Sequence, residues 1–93
     1  MTAFDALEAL GETPDQIASA LEAKGIKGEI GDSEACPLVA YLRSCGFKNA
    51  VVEEHQFLAS KRQGSKEWKD LPPGAKRFVH LFDASYYPNL IRE

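Results

Sequence analysis

Cys36 is the residue whose position in the sequence most suggests chemistry. It directly precedes Pro37, which lacks a backbone N–H and therefore belongs in the first turn of a helix. A thiol at that place faces the positive end of the helix dipole, which lowers the thiol pKa and favours the nucleophilic thiolate. The nearby carboxylates of Asp32 and Glu34 act in the opposite direction, and cysteine is commonly a core residue. Cys36 is thus a candidate catalytic or redox-sensing thiol, weighed against a structural role.

The other potential metal ligands and acid/base groups are scattered along the chain. Cys36 and Cys45 lie nine residues apart, unlike the spacing of two to four residues that holds two thiolates on one zinc ion. On one helix they would be about 13 Å apart along the axis and on opposite faces, which also disfavours an internal disulfide. No spacing unites the remaining candidates, which are His55, His80, Asp83, Tyr86 and Tyr87. We therefore predict no metal site, no cofactor and no enzymatic activity.

A glycine-rich segment, residues 25–31, matches the G-x-x-G pattern of KH-type RNA-binding loops at Gly25 and Gly28. It also resembles the loops that hold phosphate at a helix start. Carboxylates at Glu29, Asp32 and Glu34 would repel a phosphate there, so we interpret these glycines as helix-ending and turn residues.

The strongest binding candidate is a segment of clustered cations around the chain's single tryptophan, residues 60–69, which we call the basic hairpin. Its candidate binding residues are Lys61, Arg62, Lys66, Trp68 and Lys69. Two alternatives stay open: Trp68 as a core residue packed on Pro72 and Phe78, and a solvated hairpin whose lysines only discourage edge-to-edge pairing. Cations that flank an aromatic ring suit contact with an acidic protein surface, with the ring as the anchor. They also suit phosphate contacts with base stacking, and a basic hairpin beside a helix resembles the wing of winged-helix DNA-binding domains.

The nucleic-acid alternative is weakened by the charge layout. The net charge is −3, but residues 1–35 contain eight carboxylates against two cations, whereas residues 61–77 contain six cations against two carboxylates. The acidic N-terminal part would repel phosphates, and the helix available to enter a groove carries only Arg43 as a cation. Nucleic-acid binding is therefore disfavoured.

Composition and periodicity predict a single α+β domain over residues 1–93. A T-x-x-Q capping box at Thr13 begins a helix that ends before Gly25, and a central helix runs from Cys36 to Gly46. Short strands are predicted at residues 26–30, 50–58 and 66–71, the last two forming a hairpin. A final amphipathic helix buries positions 75, 78, 79, 82 and 86. The order is α-α-β-α-β-β-α, with a small antiparallel sheet against three to four short helices.

The expected function is that of a small non-enzymatic module that binds another protein or regulates it. The first alternative is a winged-helix-like nucleic-acid-binding protein that uses residues 60–69, and the second is a thiol-dependent enzyme or redox sensor that uses Cys36. No segment approaches the about 18 to 20 apolar residues of a membrane span, and the N-terminus lacks a signal-peptide pattern. With two cysteines that are expected to be free, we predict a cytoplasmic protein without membrane association.

Overall fold

The computed structural model describes residues 2–30, 35–60 and 68–91. The elements in chain order are α1 (Ala3–Glu8), α2 (Pro14–Ala23), α3 (Pro37–Ser44), β1 (Asn49–Val52), β2 (Gln56–Ser60), β3 (Lys69–Asp70), α4 (Pro73–Asp83) and a 3₁₀ turn (Pro88–Leu90). The strands form one antiparallel sheet in the order β1-β2-β3. This arrangement is the predicted α+β fold.

Local signals set the ends of the helices. The predicted capping box at α2 is confirmed: the Thr13 hydroxyl accepts from the Gln16 N–H at 3.2 Å, and the Gln16 side chain accepts from the Thr13 N–H at 3.3 Å. Gly25 has φ +70°, and the Ile26 N–H donates to the Leu21 carbonyl at 3.0 Å. This is the hydrogen bond of a glycine-terminated helix, as the sequence predicts.

The strand prediction needs two corrections. Residues 50–58 form parts of two antiparallel strands, because a turn at residues 53–55 folds the chain back so that Val52 pairs with Phe57. The Glu53 N–H donates to the Gln56 carbonyl at 2.8 Å across this turn. Residues 26–30 do not form a strand of the sheet, since only Gly28 pairs there, in one parallel bridge to Ile91. A segment with alternating side chains becomes a strand of a sheet only when a neighbouring strand forms a continuous series of backbone hydrogen bonds with it.

Helix α3 is enclosed by the other elements, as expected for a central helix. Five of its eight residues are buried: Pro37, Leu38, Val39, Tyr41 and Leu42. It contacts α1 and β1, and the Tyr41 hydroxyl donates to the Ala6 carbonyl of α1 at 2.9 Å. This hydrogen bond satisfies a buried hydroxyl and orients α3 against the N-terminal helix.

Helix α4 packs against α2 with the buried face that the periodicity predicts, apart from one residue. Phe78 and Phe82 are fully enclosed, but Tyr86 is 64% exposed. The prediction for Tyr86 is wrong because the helix ends at Asp83 and Ser85 takes a left-handed φ of +64°, which breaks the helical spacing. Tyr87 instead stacks on Phe78, with ring centroids 5.4 Å apart.

Within the described ranges, we find no helix with the length and apolar content that crossing a bilayer demands.

Candidate binding surface

Trp68 lies on the surface at the entry to β3. Its side chain is 43% exposed, and both residues of β3, Lys69 and Asp70, are exposed. Strand β3 forms the edge of the sheet and pairs with β2 through Phe57 opposite Lys69. Of the residues predicted to bind, Trp68 and the adjacent Lys69 therefore lie at an exposed edge of the sheet and not in the core.

The remaining cations predicted to bind, Lys61, Arg62 and Lys66, lie outside the described residues. Their contribution to the surface stays a prediction from the sequence.

An open cleft of about 490 Å³ lies between the β1–β2 turn and α4, and we call it the α4 cleft. Its lining residues come from two distant parts of the chain: Glu54, His55, Pro73, Lys76, Arg77, His80 and Leu81. The volume falls within the range of small-ligand and side-chain pockets, which is about 300–1,000 Å³.

Backbone hydrogen bonds hold the two walls of the α4 cleft together. The Leu71 N–H donates to the His55 carbonyl at 2.9 Å, which ties the β1–β2 turn to the segment that enters α4. The Lys76 N–H donates to the Pro72 carbonyl at 2.9 Å and begins the helical ladder of the other wall. A backbone hydrogen bond thus ties the turn to the segment that leads into the helix, which favours a preformed site.

The cleft-lining residues of α4 follow helical spacing. They recur every three to four residues, which places them on one side of the helix: Pro73, then Lys76 and Arg77, then His80 and Leu81. Ala75, Phe78, Val79 and Phe82 occupy the opposite, buried side. The periodicity predicts that Lys76 and His80 point away from the core, and both are exposed.

The contribution of Glu54 and His55 to this surface is missed by the sequence reasoning. The sequence predicts these residues in the middle of one long strand, whereas they form the β1–β2 turn beside α4. A signal was present, since the polar run Glu53 to Gln56 interrupts two apolar pairs, as a tight hairpin does.

The charges that line the α4 cleft favour an anion. Lys76 and Arg77 contribute two cations, and Glu54 is the one carboxylate among the described lining residues. Glu54 lies 3.9 Å from His55, measured between Oε2 and Nε2, and both side chains are about 70% exposed to solvent. At this exposure and separation the pair is weak, so it leaves the cationic character of the α4 wall intact.

The Cys36 thiol is in the predicted place but in an unfavourable environment for thiolate chemistry. Cys36 occupies the N-cap position of α3, and only 5% of its surface is exposed. Burial raises the pKa of the thiol to about 11, although the amides of Leu38 and Val39 lower it as a helix start should. Asp83 raises it further. At neutral pH the thiol is therefore protonated.

Both histidines line the α4 cleft, whereas the candidate tyrosines do not. The Tyr87 hydroxyl donates to Asp15 Oδ1 at 2.8 Å, and burial followed by that hydrogen bond raises the pKa of Tyr87 to about 12. Tyr86 contacts the Tyr87 ring edge-on, with centroids 5.3 Å apart. In the parts of the chain that the structure describes, no three His, Cys, Asp or Glu side chains converge as metal ligands.

The glycine-rich segment is used for packing where the structure describes it. The Gly28 N–H donates to the Leu90 carbonyl at 2.8 Å, and the Glu29 N–H donates to the Ala35 carbonyl at 2.8 Å. A side chain at Gly28 would overlap the Ala35 carbonyl and Pro37, so the glycine permits a close backbone approach. These amides already have partners, which favours the structural interpretation over phosphate binding.

Helix α3 has few exposed side chains that could contact bases or phosphates in a nucleic-acid groove. Its exposed residues are Arg43 and Ser44 alone, at its C-terminal end. The cationic helix face belongs instead to α4.

Comparison of the chain with protein-family models, curated protein sequences and solved structures finds no significant match.

Proposed function

We propose that this protein is a non-enzymatic module that binds another protein through the basic hairpin. The observation that carries the proposal is the 43% exposure of Trp68 beside the exposed Lys69 at the edge of the sheet. Tryptophan is costly to leave in water and is strongly enriched among the residues that dominate binding energy.

Electrostatics support a partner with an acidic surface. The basic hairpin and the start of α4 carry six of the chain's eleven lysine and arginine residues, while the N-terminal third is acidic. Such polarity steers an oppositely charged protein towards one face and turns the other face away from it.

The state of the two cysteines favours a binding role over thiol chemistry, and it also favours a reducing compartment. Cys36 is a buried, protonated thiol, and Cys36 and Cys45 are both free cysteines. Free thiols are typical of the cytoplasm, and we extend the proposal to that location.

Site-specific photo-crosslinking tests the proposal directly. A photoreactive phenylalanine derivative replaces Trp68 in one variant and Tyr86 in a second, and each is irradiated in cells that naturally make the protein. Tyr86 is the matched control because it is also an exposed aromatic residue, at 64%, beyond the other end of α4. We expect a protein adduct at position 68 and a much weaker one at position 86.

Charge reversal in the basic hairpin is the second part of the crosslinking experiment. We expect Lys61→Glu, Arg62→Glu and Lys66→Glu together to abolish the adduct at position 68, because the cations steer the partner, with a change in Tm of about one or two degrees. Equal adducts at positions 68 and 86, or an adduct that survives charge reversal, would contradict the proposal. An adduct that nuclease removes would support the winged-helix-like nucleic-acid alternative.

A further inference from the structure

The α4 cleft is lined by both apolar and cationic side chains. Leu81 is half-buried, Pro73 is apolar and exposed, and the methylene stems of Lys76 and Arg77 add apolar surface while their charged ends reach solvent. A matching ligand presents one apolar group to Leu81 and Pro73 and carboxylates to Lys76 and Arg77.

The cleft is continuous with the proposed binding surface through β3. Gln56, which follows the lining residue His55, pairs with Asp70, three residues before the lining residue Pro73, and the next pair joins Phe57 to Lys69. Trp68 directly precedes Lys69, whose partner Phe57 lies two residues from the lining residue His55. A peptide that contacts Trp68 needs to extend only about 10 Å, the length of three extended residues, to enter the cleft.

The distribution of carboxylates favours a peptide over a nucleic acid. Glu54 lies on the wall opposite Lys76 and Arg77, and Asp70 is exposed between the cleft and Trp68. A phosphate backbone carries evenly spaced negative charge and would meet both carboxylates. An acidic peptide can place small or apolar side chains against them.

We propose that the α4 cleft binds a short acidic peptide segment with an apolar anchor side chain, and that this segment belongs to the partner contacted by Trp68. The apolar anchor contacts Leu81 and Pro73, and flanking Asp or Glu side chains pair with Lys76 and Arg77. The inference rests on the proposed function, since it names the chemistry of the partner.

Synthetic peptides of about twelve residues test the inference, with aspartate and glutamate on both sides of a central leucine or phenylalanine. Binding is followed by fluorescence anisotropy and by amide chemical-shift changes in the isotope-labelled full chain. We expect shift changes at His55, Lys76 and His80. Replacing the anchor by alanine should weaken binding by about ten-fold, because the apolar contact is lost.

Charge-matched variants locate the site. The double variant Lys76→Glu and Arg77→Glu should weaken peptide binding by about ten-fold or more. The control, Lys24→Glu with Lys27→Glu, makes the same change in net charge at two other exposed positions and should alter binding less than about two-fold. Both pairs are exposed, so thermal melts should remain close to that of the parent protein.

The inference is overturned if neither anchored peptide shifts the cleft amides at about 1 mM, or if both double variants weaken binding equally. Preferential binding of a single-stranded oligonucleotide in the cleft would also overturn it. These failures are distinct from failure of the proposed function: a protein adduct at position 68 that survives the cleft variants would leave the Trp68 contact standing and remove only the cleft.

Discussion

Helices α3 and α4 begin in the same way and end up in different roles. Both have proline at their first position, and neither has a side-chain cap. Helix α3 buries five of eight residues, whereas α4 buries one side and presents Lys76, Arg77 and His80 on the other. A helix enclosed on most sides thus serves as scaffold, and binding side chains collect on a helix with one free face.

The largest expected effect comes from truncation within α3. Leu42 is fully buried, so we expect Leu42→Ala to lower the free energy of unfolding by about 2–5 kcal/mol through lost burial and a residual cavity. Lys76→Ala in α4 and Arg43→Ala, next to Leu42, should each change it by less than about 0.5 kcal/mol. Urea denaturation of the three variants measures these differences. Similar losses for Leu42→Ala and Lys76→Ala would contradict the division between the two helices.

An intermediate effect is expected from the Cys36 thiol at alkaline pH. Burial raises its folded-state pKa from an ordinary 9.0 to about 11, so its contribution is fully present below pH 9 and is lost as pH rises through about 11. The shift corresponds to about 2–3 kcal/mol. The stability difference between the parent protein and Cys36→Ala should therefore shrink between pH 8 and pH 10.5 in denaturant titrations. A constant difference across that interval would show that the thiol is not desolvated.

Alkylation provides an independent check on the same thiol. Cys36 should react more slowly at pH 7 than the half-buried Cys45, because it is both buried and protonated. Faster reaction at Cys36 would support the thiol-enzyme alternative and would make the start of α3 a chemical site after all.

The smallest effect is expected at the hydrogen bond from α3 to α1. Tyr41→Phe removes the donor to the Ala6 carbonyl, and we expect a loss of about 1–2 kcal/mol because a buried acceptor loses its partner. Tyr86→Phe is the matched control, since Tyr86 is exposed, and it should leave the unfolding free energy nearly unchanged. Equal effects of the two substitutions would mean that the Tyr41 hydroxyl contributes no more than a surface one.

Much of the helical structure could be predicted because its signals are local. The Thr13 capping box, the ending at Gly25 and the Pro37 start each depend on residues within a few positions of one another. The outward orientation of Lys76 and His80 follows from helical periodicity in the same way. Strands were predicted less well, because the division at residues 53–55 depends on which segments pair across the sheet.

The candidate surface was only half predictable. Trp68 and Lys69 were identified from their neighbours in the sequence, but whether the tryptophan packed in the core depended on contacts from elsewhere. The sequence does not predict that Glu54 and His55 line a cleft with α4, because nothing local connects them to that helix.

Local sequence signals were enough to set the start and end of α2, the start of α3, the polar face of α4 and the division of charge along the chain. Tertiary structure alone decided that Cys36 is buried, which reverses the effect of the helix dipole on its pKa. It also brought His55 and His80, 25 residues apart, into one cleft. The physical reason is range: caps and helical faces depend on bonds across three or four residues, whereas desolvation and clefts depend on which distant segments pack together.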